Sequence, residues 1–279
     1  MKKSMLLMGL FVFIGITLTA VTQTDWQKDG LQGKVKTITD GFETTTYTQQ
    51  GYIESFTTEL GLYNDLYTYD AKGRLISCVH TDRDGEFSNR KIYSYDVSGL
   101  LIVIEYKDSF GSTITKYEYN TKQQLTWIKF FDAYNILYSS EGYLYDTAGN
   151  NIRINNYEED AKEPWSYTIF AYDKKNKLVE KREYERPDTE QPIAVYKYDA
   201  EGLLTVESRY HEGALDTRMS VFYDKYGNVT MNKVYFAKDD ETNFTKFIYT
   251  YDKKGNWLTK EEFRDGKHNY KSERSITYY

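Results

Sequence analysis

The hydrophobic and polar positions of this chain fall into a short phrase that keeps returning. In "YKYDAEGLLTVESRY", Tyr196 to Tyr210, the aromatic rings of Tyr196 and Tyr198 alternate with Lys197 and so share one face of an extended strand. Asp199 can accept hydrogen bonds from backbone donors just ahead of it, which closes an Asx-type turn. Gly202 supplies the positive φ that a tight reversal requires. Alternation resumes at Leu204. Leu204, Val206 and Tyr210 read as one face, and Thr205, Glu207 and Arg209 as the other. The phrase predicts a β-hairpin with a four-residue turn.

The same features recur. Asp70 with Gly73, Asp96 with Gly99, Asp146 with Gly149, Asp199 with Gly202, Asp224 with Gly227 and Asp252 with Gly255 each follow an aromatic strand. Asp173 heads a copy with Asn176 in the Gly slot, and Asn120 heads a more degenerate one, "YEYNTKQQL". A weak early copy, "YTQQGYI", has Thr48 in the Asp slot, and the closing "ITYY" matches only the opening strand of another unit. Markers lie 22 to 28 residues apart, the period of a repeat architecture. The turn Asp and Gly residues are therefore read as structural.

The predicted fold is all-β: tandem antiparallel β-hairpins over residues 44–279, forming one long, twisted, curling, solenoid-like sheet of about 18 or 19 strands. Residues 21–43 lack the phrase but alternate around Val35 and Ile38, and read as a pair of capping strands over the first sheet edge. By simple alternation Trp127 and Trp257 fall on the Leu face. Ile76, Ile102, Ile104 and Ile128 fall on the opposite face, where later units carry Lys181, Glu207, Asn232 and Lys260. That parity predicts an early half buried on both faces, with some cover over Ile104. The hairpin ends also differ. The Asp-x-x-Gly turns are uniform, whereas the opposite connections vary in length and are polar, so that rim is the expected functional edge.

The first twenty residues have another pattern. Lys2 and Lys3 precede a nearly unbroken apolar run from Met5 to Leu18, which has the order of a secretory signal peptide ending near Ala20. Its removal leaves 34 basic and 42 acidic residues, a balance of −8. A soluble exported chain with no transmembrane segment, secreted, periplasmic or at the cell surface, is expected. The acidic balance excludes the basic footprint that a phosphate backbone needs, so nucleic acid is not an expected partner. The single Cys78 cannot form an intrachain disulfide.

Candidate chemistry is sparse. His80, His211 and His268 occupy different repeat positions without metal-type spacing, and each reads as a satisfied or solvated histidine. Cys78 reads as a buried, inert thiol. "DRDGE" (Asp82–Glu86) and "KDDETN" (Lys238–Asn243) are the best calcium candidates, yet neither continues into a calcium-loop spacing, and both read as solvated turns. Glu158, Glu159 and Asp160 could supply a carboxylate pair for a polysaccharide hydrolase, a third and lesser reading. No catalytic residue, metal or cofactor is assigned. Tyr134 in "FDAYN" and Trp165 after Pro164 are the candidate ligand-binding residues of the rim, suited to stacking on sugar rings or anchoring a protein.

The Tyr-x-Tyr-Asp-x-x-Gly-x-Leu pattern, eight or nine times in register, resembles the YD or RHS repeat family over most of residues 44–279. The resemblance implies hairpins strung into a spiralling β-sheet, as in bacterial cell-surface proteins and toxin-encapsulating shells, with carbohydrate binding attributed to some members. This chain has too few repeats for a closed cocoon and ends in the repeat, so a toxin role is not implied. The expected function is a non-enzymatic binding or scaffold protein of the cell envelope. It would use variable rim loops or a sheet edge for protein interaction, or alternatively rim aromatics for glycan.

Overall fold

A computed structural model describes residues 24–58, 63–82, 84–186 and 189–279. The signal-peptide segment lies outside the described residues. A single helical turn, α1 (Asp25–Lys28), is capped by Thr24 and Gln27 and leads into β1 (Val35–Asp40). Nine consecutive hairpins follow: β2 (Glu43–Tyr47) with β3 (Ile53–Thr58), β4 (Tyr63–Tyr69) with β5 (Leu75–Asp82), and β6 (Phe87–Tyr95) with β7 (Leu101–Asp108). Next are β8 (Gly111–Tyr119) with β9 (Leu125–Phe131), β10 (Leu137–Tyr145) with β11 (Asn151–Glu158), and β12 (Ser166–Tyr172) with β13 (Leu178–Tyr184). The last are β14 (Ala194–Tyr198) with β15 (Leu204–His211), β16 (Ala214–Tyr223) with β17 (Val229–Phe236), and β18 (Glu241–Tyr251) with β19 (Trp257–Arg264), before the final strand β20 (Lys267–Tyr278). The all-β hairpin reading is correct.

The open, curling sheet is not. Every strand pairs antiparallel with its sequence neighbours, and β20 pairs with β1 through Ile38↔Ile276 and Asp40↔Arg274. The twenty strands therefore close into an up-and-down barrel. Twist accumulated over so many strands can be relieved by joining the two edges, which also removes the unpaired donors and acceptors an edge would expose. At about 4.8 Å per strand the wall is about 96 Å around, or at least about 30 Å across if circular. The substantial contacts of each strand are with its two ladder neighbours, so the barrel encloses a lumen and not a filled core.

The segment before residue 44 makes this closure and is not a capping strand pair. Val35 lies opposite Tyr278 with the same register shift that separates Leu204 from Tyr198. Gly33 has φ 81°, matching Gly202 at 87°, and the Tyr279 N–H donates to Lys34 O just as Asp199 N–H donates to Leu203 O. A tenth hairpin is thus assembled from both ends of the chain: β20 gives its aromatic strand and β1 its returning strand.

Each of the ten hairpins carries a β-bulge where its return strand begins. The pairs Tyr196↔Glu207, Lys197↔Val206 and Tyr198↔Leu204 show Leu204 and Thr205 together opposite one residue. The extra residue reverses the parity that simple alternation gives. Glu207, and not Val206, shares the Tyr face. Cys78, Ile104 and Ile128 likewise lie opposite Tyr67, Tyr93 and Tyr117 on that same face, and Ile76 and Ile102 are the bulge residues. Trp257 does sit with Tyr251 on the Tyr face, but Trp127 pairs with Glu118 on the other. The early half is therefore not buried on two faces, and Ile104 needs no separate cover.

The Tyr face is the inner one. Along β18, Thr245, Phe247, Tyr249 and Tyr251 are half-buried while Phe244, Lys246, Ile248 and Thr250 are exposed, and the crowded side of a closed wall is its concave side. The segment after α1 packs on this face, where Leu31, Val35 and Tyr47 form a buried cluster with Trp26, Ile53 and Tyr278 around it.

Candidate functional site

An up-and-down barrel sorts its connections onto two rims. On one rim lie the Asp-x-x-Gly turns. In the β14–β15 turn the Asp199 carboxylate accepts from Glu201 N–H (3.0 Å) and Leu203 N–H (2.8 Å), and the Gly202 N–H donates to Asp199 O. Asp70, Asp96, Asp146, Asp173, Asp224 and Asp252 make the corresponding bond to the backbone N–H four residues on. Backbone N–H groups of Lys177 and Lys175 hold the Asp173 carboxyl below its ordinary range. Where the fourth residue is not Gly, Gln123 and Asn176 adopt φ near 60°, so the turn geometry outlasts its preferred residue.

Beneath these turns, tyrosine hydroxyls tie one hairpin to the next. Tyr95, Tyr119, Tyr145, Tyr172 and Tyr223 donate to the carbonyls of Leu75, Leu101, Leu125, Asn151 and Leu204, at 2.7–2.8 Å. Each acceptor opens the preceding hairpin's bulged strand. Ladder pairing of β5 with β6 starts only at Ser77↔Ile92, so the Leu75 carbonyl lies beyond it. Burial pushes the phenol of Tyr119 up to about 12.

The other rim holds the variable connections. Tyr134 is 85% exposed at the tip of a turn whose Asp132 carboxylate accepts from Tyr134 N–H, and Trp165 is 51% exposed at the foot of the next connection, its N–H on Asn156 O. Two strand spacings, about 10 Å, separate neighbouring connections on this rim. The sequence reading placed both residues on this rim. It passed over Phe42 (67% exposed) and Phe110 (94%) on the β1–β2 and β7–β8 connections, and Phe87 (51%) at the head of β6. The missed signal is a Phe next to Gly or Glu in an otherwise polar connection. In "DRDGE" the Asp82 carboxylate accepts from Asp84 N–H and Glu86 N–H, the bonds that the repeat's Asp makes in its own turns. Glu158, Glu159 and Asp160 stand exposed on the β11–β12 connection.

Bulge parity gathers polar groups on the inner wall. Lys181 is buried, with its Nζ 2.8 Å from Glu183 and 3.8 Å from the centre of the Tyr196 ring, and the Tyr196 hydroxyl donates to Glu183. Burial, then Glu183 and Glu207, push the Tyr196 phenol upward. In β4 and β5, His80 Nδ1 lies 2.5 Å from Asp65, so this histidine is satisfied by a carboxylate. Cys78 is half-buried on the same face, and burial followed by the Asp65 charge pushes its thiol up, which disfavours the thiolate. Among the described residues no three His, Cys, Asp or Glu side chains are placed to hold a metal ion.

No protein-family model matches the chain, and no curated protein sequence matches it. Solved structures do. The crystal structure of TcdB2-TccC3-Cdc42 matches at a TM-score of 0.45 and 18% identity, over 79% of this chain and 13% of that one. This chain thus spans only about an eighth of that chain's length, the 13% just given. A porin-like protein from Bacteroides uniformis matches at a TM-score of 0.36 and 12% identity, over 88% of this chain and 95% of that one. One from Bacteroides vulgatus matches at 0.33 and 12%, over 88% and 99%.

Proposed function

We propose that this chain is an exported, non-enzymatic binding or scaffold protein of the cell envelope, a member of the YD/RHS repeat family in kind, and that its variable rim is the binding surface for a protein. The observation carrying this reading is the run of exposed aromatics at Phe42, Phe87, Phe110, Tyr134 and Trp165, on or beside the described connections of one rim. Exposed large aromatics gathered on one edge are what a partner covers. The pairing of β20 with β1 removes strand addition at an open edge from the available modes, leaving the rim.

A wall in water suits this role. The outer face carries Arg182, Lys197, Arg218, Lys233, Lys246 and Glu261 across β13 to β19, positions that a lipid-facing wall would fill with apolar residues. No helix among the described residues is long and apolar enough to cross a membrane. The signal-peptide pattern of residues 1–20 supports export.

The test is recovery of a partner from envelope extract with immobilised protein. The Tyr134→Ala, Trp165→Ala double variant should melt as the unmodified protein does and lose the partner. Equal recovery by both overturns the rim as binding surface. The second reading, a carbohydrate-binding rim, is favoured by the same two exposed rings on neighbouring connections. It would show as rim-dependent binding on a glycan array.

A further inference from the structure

One arc of the variable rim, from the β1–β2 turn to the β11–β12 connection, combines two features. It bears the exposed rings of Phe42, Phe110, Tyr134 and Trp165. Its connections, residues 40–43, 82–87, 108–111, 132–136 and 158–165, also hold eleven acidic residues and two basic ones, a balance of −9. Without residues 1–20 and their two lysines the chain carries −8, so everything outside these five connections sums to −8 − (−9) = +1. The negative charge of this protein is therefore concentrated where its aromatic side chains protrude.

Most of that charge is unpaired among the described residues, although Asp40 lies opposite Arg274 across β1 and β20. Among the described residues, ion pairs involve acids of α1, the opposite rim and the two wall faces, and none of the eleven acids of the arc. Asp82, Asp108 and Asp132 accept backbone N–H groups in their turns, which orients the carboxylates without neutralising them. Like charges fixed along one edge sum to a field that repels anions and steers cations in.

This sign selects among occupants of an aromatic edge. A second copy docked rim to rim would oppose −9 with −9. An anionic bilayer or a phosphate backbone meets the same repulsion. A neutral glycan could stack on the rings but would leave the carboxylates unused. Lys and Arg side chains use both features, pairing with carboxylates and lying over aromatic faces.

We propose, resting on the rim reading above, that this arc docks a cationic, Lys- and Arg-bearing polypeptide surface, with the β11–β12 connection and its Trp165 as the strongest part of the contact. The experiment is fluorescence anisotropy on the full protein at low ionic strength with three labelled probes: an alternating Lys-Gly peptide, its Glu-Gly counterpart, and a neutral glucose oligosaccharide. The Lys-Gly peptide should bind, the Glu-Gly peptide should not, and added salt should weaken binding steeply. Replacing Glu158→Gln, Glu159→Gln, Asp160→Asn and Glu163→Gln together should weaken it by at least about tenfold. Trp165→Ala should weaken it too. Removing four charges from the outer wall (Glu105→Gln, Glu118→Gln, Glu261→Gln, Glu273→Gln) should not.

If the wall variant loses as much as the rim variant, the attraction is diffuse and the proposal fails. If the neutral oligosaccharide binds and Trp165→Ala abolishes it while the Lys-Gly peptide is indifferent to the rim, the rim binds but the partner's chemistry is wrong. If no probe depends on the rim and the envelope-extract test is also negative, the rim reading itself fails.

Discussion

In five of the hairpins the hydroxyl of the repeat's second aromatic, a Tyr, ties that hairpin to the one before it. Tyr145 donates to Leu125 O at 2.8 Å, supplying a donor to a carbonyl at the mouth of a bulge where the neighbouring strand has already diverged. Removing only that oxygen leaves the half-buried carbonyl unpaired. Tyr145→Phe should lower stability by about 1 kcal/mol, the usual worth of such a bond, without changing the barrel. A chemical-denaturation series checks it. An unchanged midpoint would mean that water serves that carbonyl equally well. At this scale the sequence was legible as to turns and blind to ties. The Asp and Gly slots announce their local bonds, whereas a Tyr-to-carbonyl bond between hairpins leaves no mark within either one.

At the scale of the hairpin, the bulge decides which side chains enter the lumen. Lys181 stands where Ile104 and Ile128 stand in earlier hairpins, and it is buried there because Glu183, two residues on and on the same inner face, pairs with it across 2.8 Å under the Tyr196 ring. Taking away one partner of a buried pair costs more than never having had the pair. Glu183→Gln should therefore destabilise by about 2–3 kcal/mol, a little less than a fully buried pair because Glu183 keeps some solvent contact. Replacing both, Lys181→Ile with Glu183→Thr, should restore most of the loss. Thermal or urea unfolding of the three variants checks the cycle, and additive losses would sink it. Here the sequence misled for a physical reason. A bulge inserts one residue without interrupting the alternation of Leu204, Val206 and Tyr210, so the pattern still reads as one strand face. Only the register against Tyr196 and Tyr198 shows that Val206 has turned outward and Glu207 inward.

At the scale of the whole molecule, closure depends on two half-motifs at opposite ends of the chain. Gly33-Lys34-Val35 is the second half of a repeat turn and Tyr278-Tyr279 is the end of a repeat strand, but neither half carries the Asp that marks the phrase, so the sequence shows an orphan strand at each end. Their union is a hairpin lacking only its covalent turn: Val35 faces Tyr278, and Tyr279 N–H reaches Lys34 O at 3.0 Å. A circular permutant makes that turn covalent. Its chain would run from Tyr278 through Asp in place of Tyr279, then Ala and Glu, into Gly33, copying the β14–β15 turn, with new ends opened between Ala200 and Glu201. The split hairpin is thereby moved to another repeat, at the cost of the α1 segment and its Leu31 contact. The permutant should fold as a monomer with one cooperative unfolding transition. A chain ending at Gly266 should not, because removing β20 leaves β19 and β1 as unpaired edges of a wall with little packed core. Circular dichroism melts with size-exclusion chromatography distinguish the two. A cooperative, monomeric truncation beside an unfolded permutant would show that the barrel is held by its neighbouring hairpins alone, and that the pairing of its two ends is incidental.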